Sequence, residues 1–202
     1  MAFNHCSSLA SVSISDGIET IENLTFCDCT SLSNISIPNS VKKIGLMAFA
    51  RCYSLTNIVL PNNLTTIGEL AFSNCSKLES LSIPNCDVYI GSSAFAFCTD
   101  LCTVISRSIK TPSLGYGIFD SCNLNNATLF VPVESIEKYK VADQWKEFGT
   151  IKAIEGTNDI PLINMNEKTM IYNTNGSIQN NRSNGFNIIQ NTNGECQKVY
   201  IK

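Results

Sequence analysis

Six cysteines recur along the chain at an almost constant interval, and this spacing restricts the fold more than any other feature. They are Cys6, Cys29, Cys52, Cys75, Cys98 and Cys122, which are separated by steps of 23, 23, 23, 23 and 24 residues. Disulfide frameworks and zinc sites do not space cysteines in this way, whereas a stacked repeat places one equivalent residue in every unit. The spacing therefore predicts a repeat protein and gives its period.

Other residues keep the same register. A phenylalanine lies three residues before each of these cysteines, and a leucine lies three residues after each of the first five. Four units then continue with an apolar pair two residues apart, which a proline follows in three of them, as in Ile58, Leu60 and Pro61. Three units end on an apolar residue and a glycine, as in Ile67 and Gly68. The consensus is A-F-x-x-C-x-x-L-x-x-[IVL]-x-[ILV]-P, a turn, and [VL]-x-x-I-G.

This consensus predicts one strand and one return turn in every unit. The last two apolar residues of L-x-x-I-x-I are two apart, so they share one face of a strand. The proline cannot donate a ladder hydrogen bond and ends the strand. The glycine fits a corner that a Cβ would obstruct, and the three-residue spacing of phenylalanine, cysteine and leucine suits a short helical or 3₁₀ turn.

A single unit cannot bury its apolar side, but stacked units bury it against each other. The repeated cysteines are therefore expected to act as small buried hydrophobic residues. A column of disulfides is disfavoured because the Cα–Cβ bonds of stacked cysteines run parallel and do not point at each other. A row of zinc sites is disfavoured because the thiols do not converge on one point. Four further cysteines are expected to be unpaired, although their oxidation state stays open: Cys27, Cys86, Cys102 and Cys196. We expect no metal and no cofactor.

The repeat motif resembles the BspA-like (Treponema pallidum type) leucine-rich repeat family over about residues 2–125. The resemblance implies an α/β repeat solenoid, in which units of about 23 residues form a right-handed stack with a parallel sheet on the concave side. It also implies a cell-surface or secreted protein, such as those of anaerobic bacteria and some protozoa that adhere to host or bacterial partners.

The end of the repeat region departs from the consensus. The leucine after Cys122 is Leu124, only two residues along, so we expect a degenerate sixth unit and a repeat domain over residues 1–127.

Residues 128–156 are predicted to cap the stack with a strand over 129–131 and an amphipathic helix over 133–148, and they are similar to the strand-helix terminator of the family. An apolar residue recurs every three positions in this helix: Ile136, Tyr139, Ala142, Trp145 and Phe148. Trp145 is expected to anchor the core of the cap.

Residues 157–202 lack the 23-residue period and are predicted to form a small all-β module. Asn175-Gly176 indicates a turn, and Asn193-Gly194 indicates a hairpin between strands near 185–190 and 195–201. The segment resembles the C-terminal secretion or sorting modules of Bacteroidetes surface proteins, which implies a β-sandwich-like or hairpin module.

Composition argues against several classes of function. The net charge is −3 and the pI about 5.2, and there is no basic patch for nucleic acid. No apolar run approaches the ~20 residues that cross a bilayer. His5 is the only histidine, and the sequence offers no partners that would form a Ser-His-Asp or Cys-His site with it. No phosphate-binding glycine loop is present in the sequence. We expect a protein that is not an enzyme.

The strands offer a candidate binding surface on the concave face. Their outward positions form two rows: Ser13, Ser36, Val59, Ser82 and Ile105 in one, and Ser11, Asn34, Asn57, Ser80 and Thr103 in the other. These side chains are small and mostly neutral, with an apolar spot expected at Val59 and Ile105. The rows lack the Trp, Tyr and Arg that dominate protein-binding hot spots, which favours weak or multivalent contact or an epitope elsewhere. Four residues in the corners are alternative contacts: Arg51, Tyr53, Tyr89 and Tyr116.

The sequence thus predicts an interaction or adhesion module for a protein or glycan partner, displayed at the cell surface (outer membrane) or secreted. The alternatives are a structural spacer or display stalk for another domain and, third, an enzyme. The chain begins inside a repeat at Met1-Ala2-Phe3, so we expect a fragment of a longer array, in which the lack of a leader carries no information about localisation.

Overall fold

The computed structural model describes residues 2–85, 87–154, 171–172, 178–179, 185–190 and 196–201, with side chains described up to residue 154. The chain divides into two compact units, Met1–Ala153 and Ile154–Lys202. The first unit is a parallel-strand β-solenoid of about six turns. It contains the repeats found in the sequence.

Twelve strands build the first unit. In chain order they are β1 (Ser11–Ser13), β2 (Thr20–Ile21), β3 (Asn34–Ser36), β4 (Lys43–Ile44), β5 (Asn57–Val59), β6 (Thr66–Ile67), β7 (Ser80–Ile83), β8 (Tyr89–Ile90), β9 (Thr103–Ser106), β10 (Ser113–Leu114), β11 (Thr128–Val131) and β12 (Thr150–Ala153). The odd-numbered strands together with β12 form the first sheet column, in which β1 pairs with β3 and the other five strands form one sheet. The remaining strands form the second sheet, in the order β10-β8-β6-β4-β2.

Adjacent strands pair parallel and in the register of the repeat. Ile58 lies beside Leu81, and Leu81 lies beside Val104, so equivalent apolar residues stack from turn to turn. All three side chains are fully buried. The predicted stacking of 23-residue units into a parallel sheet is therefore confirmed.

A column of phenylalanine rings runs through the core. Successive centroids from Phe3 to Phe95 are 5.1 to 5.3 Å apart, with interplanar angles of 1° to 12°. The next step, to Phe119, widens to 6.0 Å and 24° where the repeat lengthens by one residue. Aromatic pairs at such distances add stability beyond the area that they bury.

The turn that carries phenylalanine and cysteine is not a continuous 3₁₀ helix. The N–H of Cys52 donates to the Phe49 carbonyl at 3.3 Å, as in a short turn, but the N–H of Phe49 donates to Ala71 in the next turn of the solenoid at 2.7 Å. The residue before each cysteine of the column has a left-handed backbone, as at Arg51, where φ is 60°. Lateral hydrogen bonds between turns thus alternate with three-residue bonds along the chain.

The corner glycines from Gly45 onward are required by close backbone approach. A Cβ on Gly68 would lie 2.5 Å from the carbonyl carbon of Gly45, and one on Gly91 would lie 2.6 Å from the Glu69 nitrogen. Real Cβ atoms do not tolerate such distances to backbone atoms. The predicted reason for these glycines is confirmed.

The predicted cap helix over 133–148 is wrong in its length. A 3₁₀ turn covers Val133–Ser135, and the α-helix α1 covers only Ile136–Val141. The helix ends because Ala142 is extended, with ψ at 135°, and Gln144 is left-handed, with φ at 66°. From Ala142 onward the chain forms a turn that leads into β12. Its Phe148 N–H donates to the Trp145 carbonyl at 3.4 Å, and its Lys146 N–H donates to the Ala142 carbonyl at 2.9 Å, which differs from the three-residue steps of the earlier units.

Gln144 ties this last turn to the one before it. In an earlier unit the N–H of Ala94 donates directly to the Gly91 carbonyl at 3.2 Å. At the equivalent place the Gln144 amide bridges the two groups: its Oε1 accepts from the Ile118 N–H at 2.7 Å, and its Nε2 donates to the Gly115 carbonyl at 2.9 Å. The side chain satisfies both backbone groups at the end of the repeat.

The described residues of the second unit form two antiparallel strand pairs, β13 (Ile171–Tyr172) with β14 (Ile178–Gln179) and β15 (Gly185–Gln190) with β16 (Cys196–Ile201). The turns predicted at Asn175-Gly176 and Asn193-Gly194 lie outside the described residues, as does Cys86. A folded all-β module that resembles a sorting domain stays a prediction, and so do the boundaries at 127 and 156.

Candidate interaction surface

The two predicted rows lie side by side on the outward face of the first sheet column. In one row Ser13 pairs with Ser36, and Val59 pairs with Ser82. The other row passes from Ser11 to Asn34 and then continues from Asn57 through Ser80 to Thr103. Inward neighbours such as Ile58 are buried, so alternation along each strand directs the rows outward. The rows have the register that the sequence predicts.

The amino-terminal half of this surface is open and uncharged. Ser11, Ser13 and Ser36 are exposed, and Asn34 is half-buried. None of these four side chains has a hydrogen-bond partner among the described residues. Strands β1, β3, β5, β7 and β9 contain no charged residue. The half thus presents hydroxyl and amide groups without formal charge.

The exposed apolar spot expected at Val59 and Ile105 is wrong for Ile105. Ile105 is 0% exposed and Ser82 is only 7% exposed, whereas Val59 is half-buried. Ile105 lies in register between Ser82 and Phe130, so adjoining strands flank it on both sides. Ile105 and Ser82 are thus closed to solvent, whereas Ser80 and Thr103 in the other row are half-buried.

Two strands beyond the repeat consensus extend both rows. On β11, Thr128 pairs with Thr103 and Phe130 pairs with Ile105. On β12, Thr150 and Lys152 add one more position to each row. The sequence predicts a strand at β11, but the predicted rows end at Thr103 and Ile105. The proline at 132, which ends β11 as prolines end the earlier strands, was the feature that could have placed them.

A polar cluster lies at the turn of the first units, where Cys27, His5, Asp28 and Arg51 meet. Asp28 accepts from Arg51 Nε at 2.7 Å and Nη2 at 2.8 Å, Cys27 Sγ donates to it at 3.3 Å, and His5 lies 3.6 Å away. The Arg51 guanidinium lowers the pKa of Asp28, and burial raises the pKa of Cys27 to about 11. The thiol is therefore protonated at neutral pH, and its hydrogen bond to Asp28 helps to order the turn.

The cysteines of the column have a role that the sequence analysis missed. From Cys29 onward each thiol of the column donates to a phenylalanine carbonyl in the preceding turn, as Cys52 does to Phe26 at 3.2 Å and Cys75 does to Phe49 at 3.3 Å. These residues are therefore hydrogen-bond donors as well as small apolar side chains. Burial raises the pKa of the Cys75 thiol from 9.0 to about 12.

This raised pKa makes stability depend on alkaline pH. The folded chain holds the Cys75 proton more tightly than the unfolded chain, so its stabilisation is complete below about pH 9 and is lost as the pH rises towards 12. We expect the unfolding free energy of the wild type to fall more steeply over this interval than that of Cys75→Ala, by up to ~1.4 kcal/mol per pH unit. Urea denaturation at several pH values measures both slopes, and parallel curves would contradict the assignment.

Within the part of the chain that the structure describes, no group of three or more His, Cys, Asp and Glu residues is arranged to hold a metal ion. The same residues include no helix with the length and apolarity needed to cross a membrane.

A parallel-strand solenoid with one leucine-containing strand segment per turn defines a leucine-rich repeat protein. A family model described as the BspA type leucine rich repeat region, with 6 copies, matches residues 1–125 and 77–191. The chain therefore belongs to the BspA type leucine-rich repeat family. No curated protein matches the chain significantly.

Solved structures share the fold. A leucine rich repeat protein of T. pallidum (TpLRR) has 25% identity and a TM-score of 0.57, and the match covers 71% of this chain and 69% of that protein. The pneumococcal vaccine antigen PcpA has 19% identity and a TM-score of 0.54, and the match covers 72% of this chain and 41% of PcpA. The family and the fold together are typical of proteins that interact with other macromolecules and are generally not enzymes.

Proposed function

We propose that this chain is a non-catalytic adhesion module, displayed at the cell surface or secreted, that binds a protein or glycan partner through the outward face of the first sheet column. The observation that carries the proposal is the set of exposed polar groups on strands β1 and β3, which have no partner among the described residues. Membership of the BspA type family supports it, since the resemblance implies adhesion.

The proposal includes a right-handed coil with this face on its concave side, as the family resemblance implies. It places the partner across several strands rather than at one turn. Support for surface display comes from the fold shared with PcpA, a protein described as a vaccine antigen. In Bacteroidetes such a module would carry a sorting segment over residues 157–202.

Binding arrays test the proposal. The intact chain is applied to immobilised extracellular-matrix proteins and glycans, together with a Ser13→Glu, Ser36→Glu double variant. Both serines are exposed on the proposed face, so the added carboxylates should abolish the strongest interactions by removing neutral hydrogen-bonding groups. Ser113→Glu is the matched control, because Ser113 is an exposed strand serine on the second sheet. Silence across both arrays, or equal binding by the double variant, would count against the proposal.

A second candidate function is a structural spacer or display stalk. The observation that favours it is the uniform stack of rings and lateral hydrogen bonds, which makes successive turns equivalent. A spacer requires no specific partner for the outward face. Silent arrays together with a cooperative, highly stable fold would favour this function over adhesion.

A further inference from the structure

We infer that Asn23 is the acceptor for an N-linked glycan and that Thr25 supplies the hydroxyl by which the modifying enzyme recognises this site. Asn23, Leu24 and Thr25 form the pattern N-x-[ST], in which x is not proline. The inference goes beyond adhesion and rests on the proposed function only in requiring export, since this modification belongs to exported proteins. It places a modification site at the corner that follows strand β2.

The pattern alone does not select Asn23, because it occurs several times. Within the first unit it begins at five asparagines: Asn23, Asn34, Asn63, Asn74 and Asn126. The sugar is attached to the side-chain nitrogen Nδ2. The site that suits the folded chain is therefore one where Nδ2 is accessible and makes no contact that the fold uses. The hydrogen bonds of the five amides distinguish them on this criterion.

Four of the five amides are engaged or enclosed. Nδ2 donates at 2.9 to 3.1 Å in three of them, to a backbone carbonyl from Asn63 and to neighbouring side chains from Asn74 and Asn126. Asn34 is half-buried within strand β3, in register with Ser11. A sugar on these nitrogens would crowd a hydrogen bond of the fold or a neighbouring strand.

Asn23 is exposed, and its amide is held in one orientation. Oδ1 accepts from the Leu46 N–H at 2.8 Å, and a donor at that place requires the amide oxygen rather than the nitrogen. Gly45 leaves room for this contact, because a Cβ there would lie 2.5 Å from Oδ1. Nδ2 therefore points away from Leu46, and it has no hydrogen-bond partner among the described residues. A sugar on Nδ2 leaves the bond of Oδ1 in place.

A second observation is that Thr25 departs from the repeat. The equivalent residues of the next three turns, Ala48, Ala71 and Ala94, are alanines that are 0% exposed. The Thr25 N–H donates to the residue three before it at 3.3 Å, and so does the Ala48 N–H, so the backbone makes the same turn with either residue. The threonine hydroxyl is half-buried and donates to the Glu22 carbonyl at 2.7 Å. Alanine satisfies the packing, and the hydroxyl completes the acceptor pattern.

The corner does not require an asparagine either. Ser92 occupies the equivalent position three turns further on, and its Oγ accepts from the Tyr116 N–H at 3.1 Å. A serine thus makes the same bond through an oxygen and carries no amide nitrogen. Both residues that define the pattern at Asn23 therefore exceed what the turn needs.

The transfer balances with a lipid-linked oligosaccharide as the donor. Nδ2 of Asn23 forms a bond to the anomeric carbon of the first sugar, and the bond from that carbon to a pyrophosphate oxygen breaks. The lipid pyrophosphate leaves with the bonding electrons, and Nδ2 loses one proton. The product keeps Oδ1 as an acceptor and has a sugar in place of one amide hydrogen.

Cell-free synthesis with endoplasmic-reticulum microsomes tests the inference. The full chain follows a cleavable secretory signal, and the molecules that resist brief proteolysis after detergent lysis are taken as the folded ones. An amidase then removes N-linked glycans in heavy-oxygen water, and peptide mass spectrometry identifies each occupied asparagine by its conversion to labelled aspartate. We expect occupancy at Asn23, together with a gel band that the amidase shifts to the mobility of the unmodified chain.

Two variants remove the site and keep the turn. Asn23→Ser retains an oxygen acceptor for Leu46, as at Ser92, and Thr25→Ala restores the alanine of other units. Both should lose the modification at position 23, whereas Thr25→Ser should retain it. Asn63→Gln is the matched control at another exposed asparagine with the same pattern, and it should leave occupancy at Asn23 unchanged. Circular dichroism confirms that each variant is folded.

Several outcomes would overturn the inference. Occupancy at any of the other four asparagines that equals or exceeds that at Asn23 does so, and so does an unmodified chain in microsomes that glycosylate a known secreted protein. Equal modification of the wild type and Thr25→Ala has the same consequence. None of these results depends on a binding partner, so a failure here leaves adhesion in place, and silent binding arrays leave the modification site in place.

Discussion

Phe72→Ala is expected to destabilise the solenoid by about 3–5 kcal/mol, the usual range for deleting a fully buried ring. Phe72 is 0% exposed, and its centroid lies 5.1 Å from Phe49 and 5.2 Å from Phe95. Its removal opens a cavity and interrupts two stacked pairs at the centre of the column. Urea denaturation followed by far-ultraviolet circular dichroism gives the change in unfolding free energy.

Phe3→Ala is the matched control at the end of the same column. Phe3 stacks on Phe26 alone, at 5.3 Å, and is 45% exposed. Because this ring buries only about half of its surface, we expect less than about half of the loss seen at the centre. Equal losses for the two variants would show that position in the stack does not determine the energetic contribution of a ring.

Trp145→Ala is expected to cost about 3–5 kcal/mol by opening the carboxyl-terminal end of the first unit. Trp145 is 0% exposed and makes edge contacts with Phe119 at 5.5 Å and Tyr139 at 5.3 Å. Phe148 packs beside it at 6.2 Å. The same urea titration measures the loss, and its midpoint should shift well below that of the wild type.

Trp145→Phe separates packing from hydrogen bonding. Trp145 Nε1 is buried and has no hydrogen-bond partner among the described residues. Phenylalanine removes this unpaired donor, which offsets part of the lost packing, because an unsatisfied buried group costs about 1–3 kcal/mol. We therefore expect a loss of less than about 1.5 kcal/mol. A loss as large as that of the alanine variant would show that the indole N–H has a partner.

The repeat could be predicted from the sequence because equivalent apolar residues recur at the same positions in successive units. Ile58, Leu81 and Val104 are placed by period alone, and the structure stacks them in that register. The corner glycines were equally predictable, since only a residue without Cβ allows the observed approach of Gly68 to Gly45. Because the pattern recurs, several units independently support the position of each buried residue.

The cap helix was overestimated because one apolar spacing serves two structures. Ala142, Trp145 and Phe148 are three residues apart, which resembles a helical stripe. The same spacing joins phenylalanine, cysteine and leucine in the first five units, and Ala142, Trp145 and Phe148 lie in a turn beyond the end of the helix. The left-handed backbone at Gln144 distinguishes the two structures, and side-chain periodicity does not encode it.

The candidate surface was predictable in register but only partly in exposure. Alternation along a strand shows which side Ser36 and Ile105 face, and both face outward as expected. It does not show what packs over that side, so the burial of Ile105 and Ser82 could not be predicted. The donor role of the column thiols was also missed, because a cysteine in a buried position is already explained by its size.

The lateral hydrogen bonds of the turns have an evolutionary consequence. Phe26, Phe49 and Phe72 each donate their N–H to the alanine carbonyl one turn further on, at 2.7 to 2.8 Å. Because this step is the same at each junction, a gene duplication or deletion of one whole unit leaves every donor opposite an acceptor. Recombination between repeats can thus lengthen or shorten the molecule in increments of 23 codons without redesigning either end.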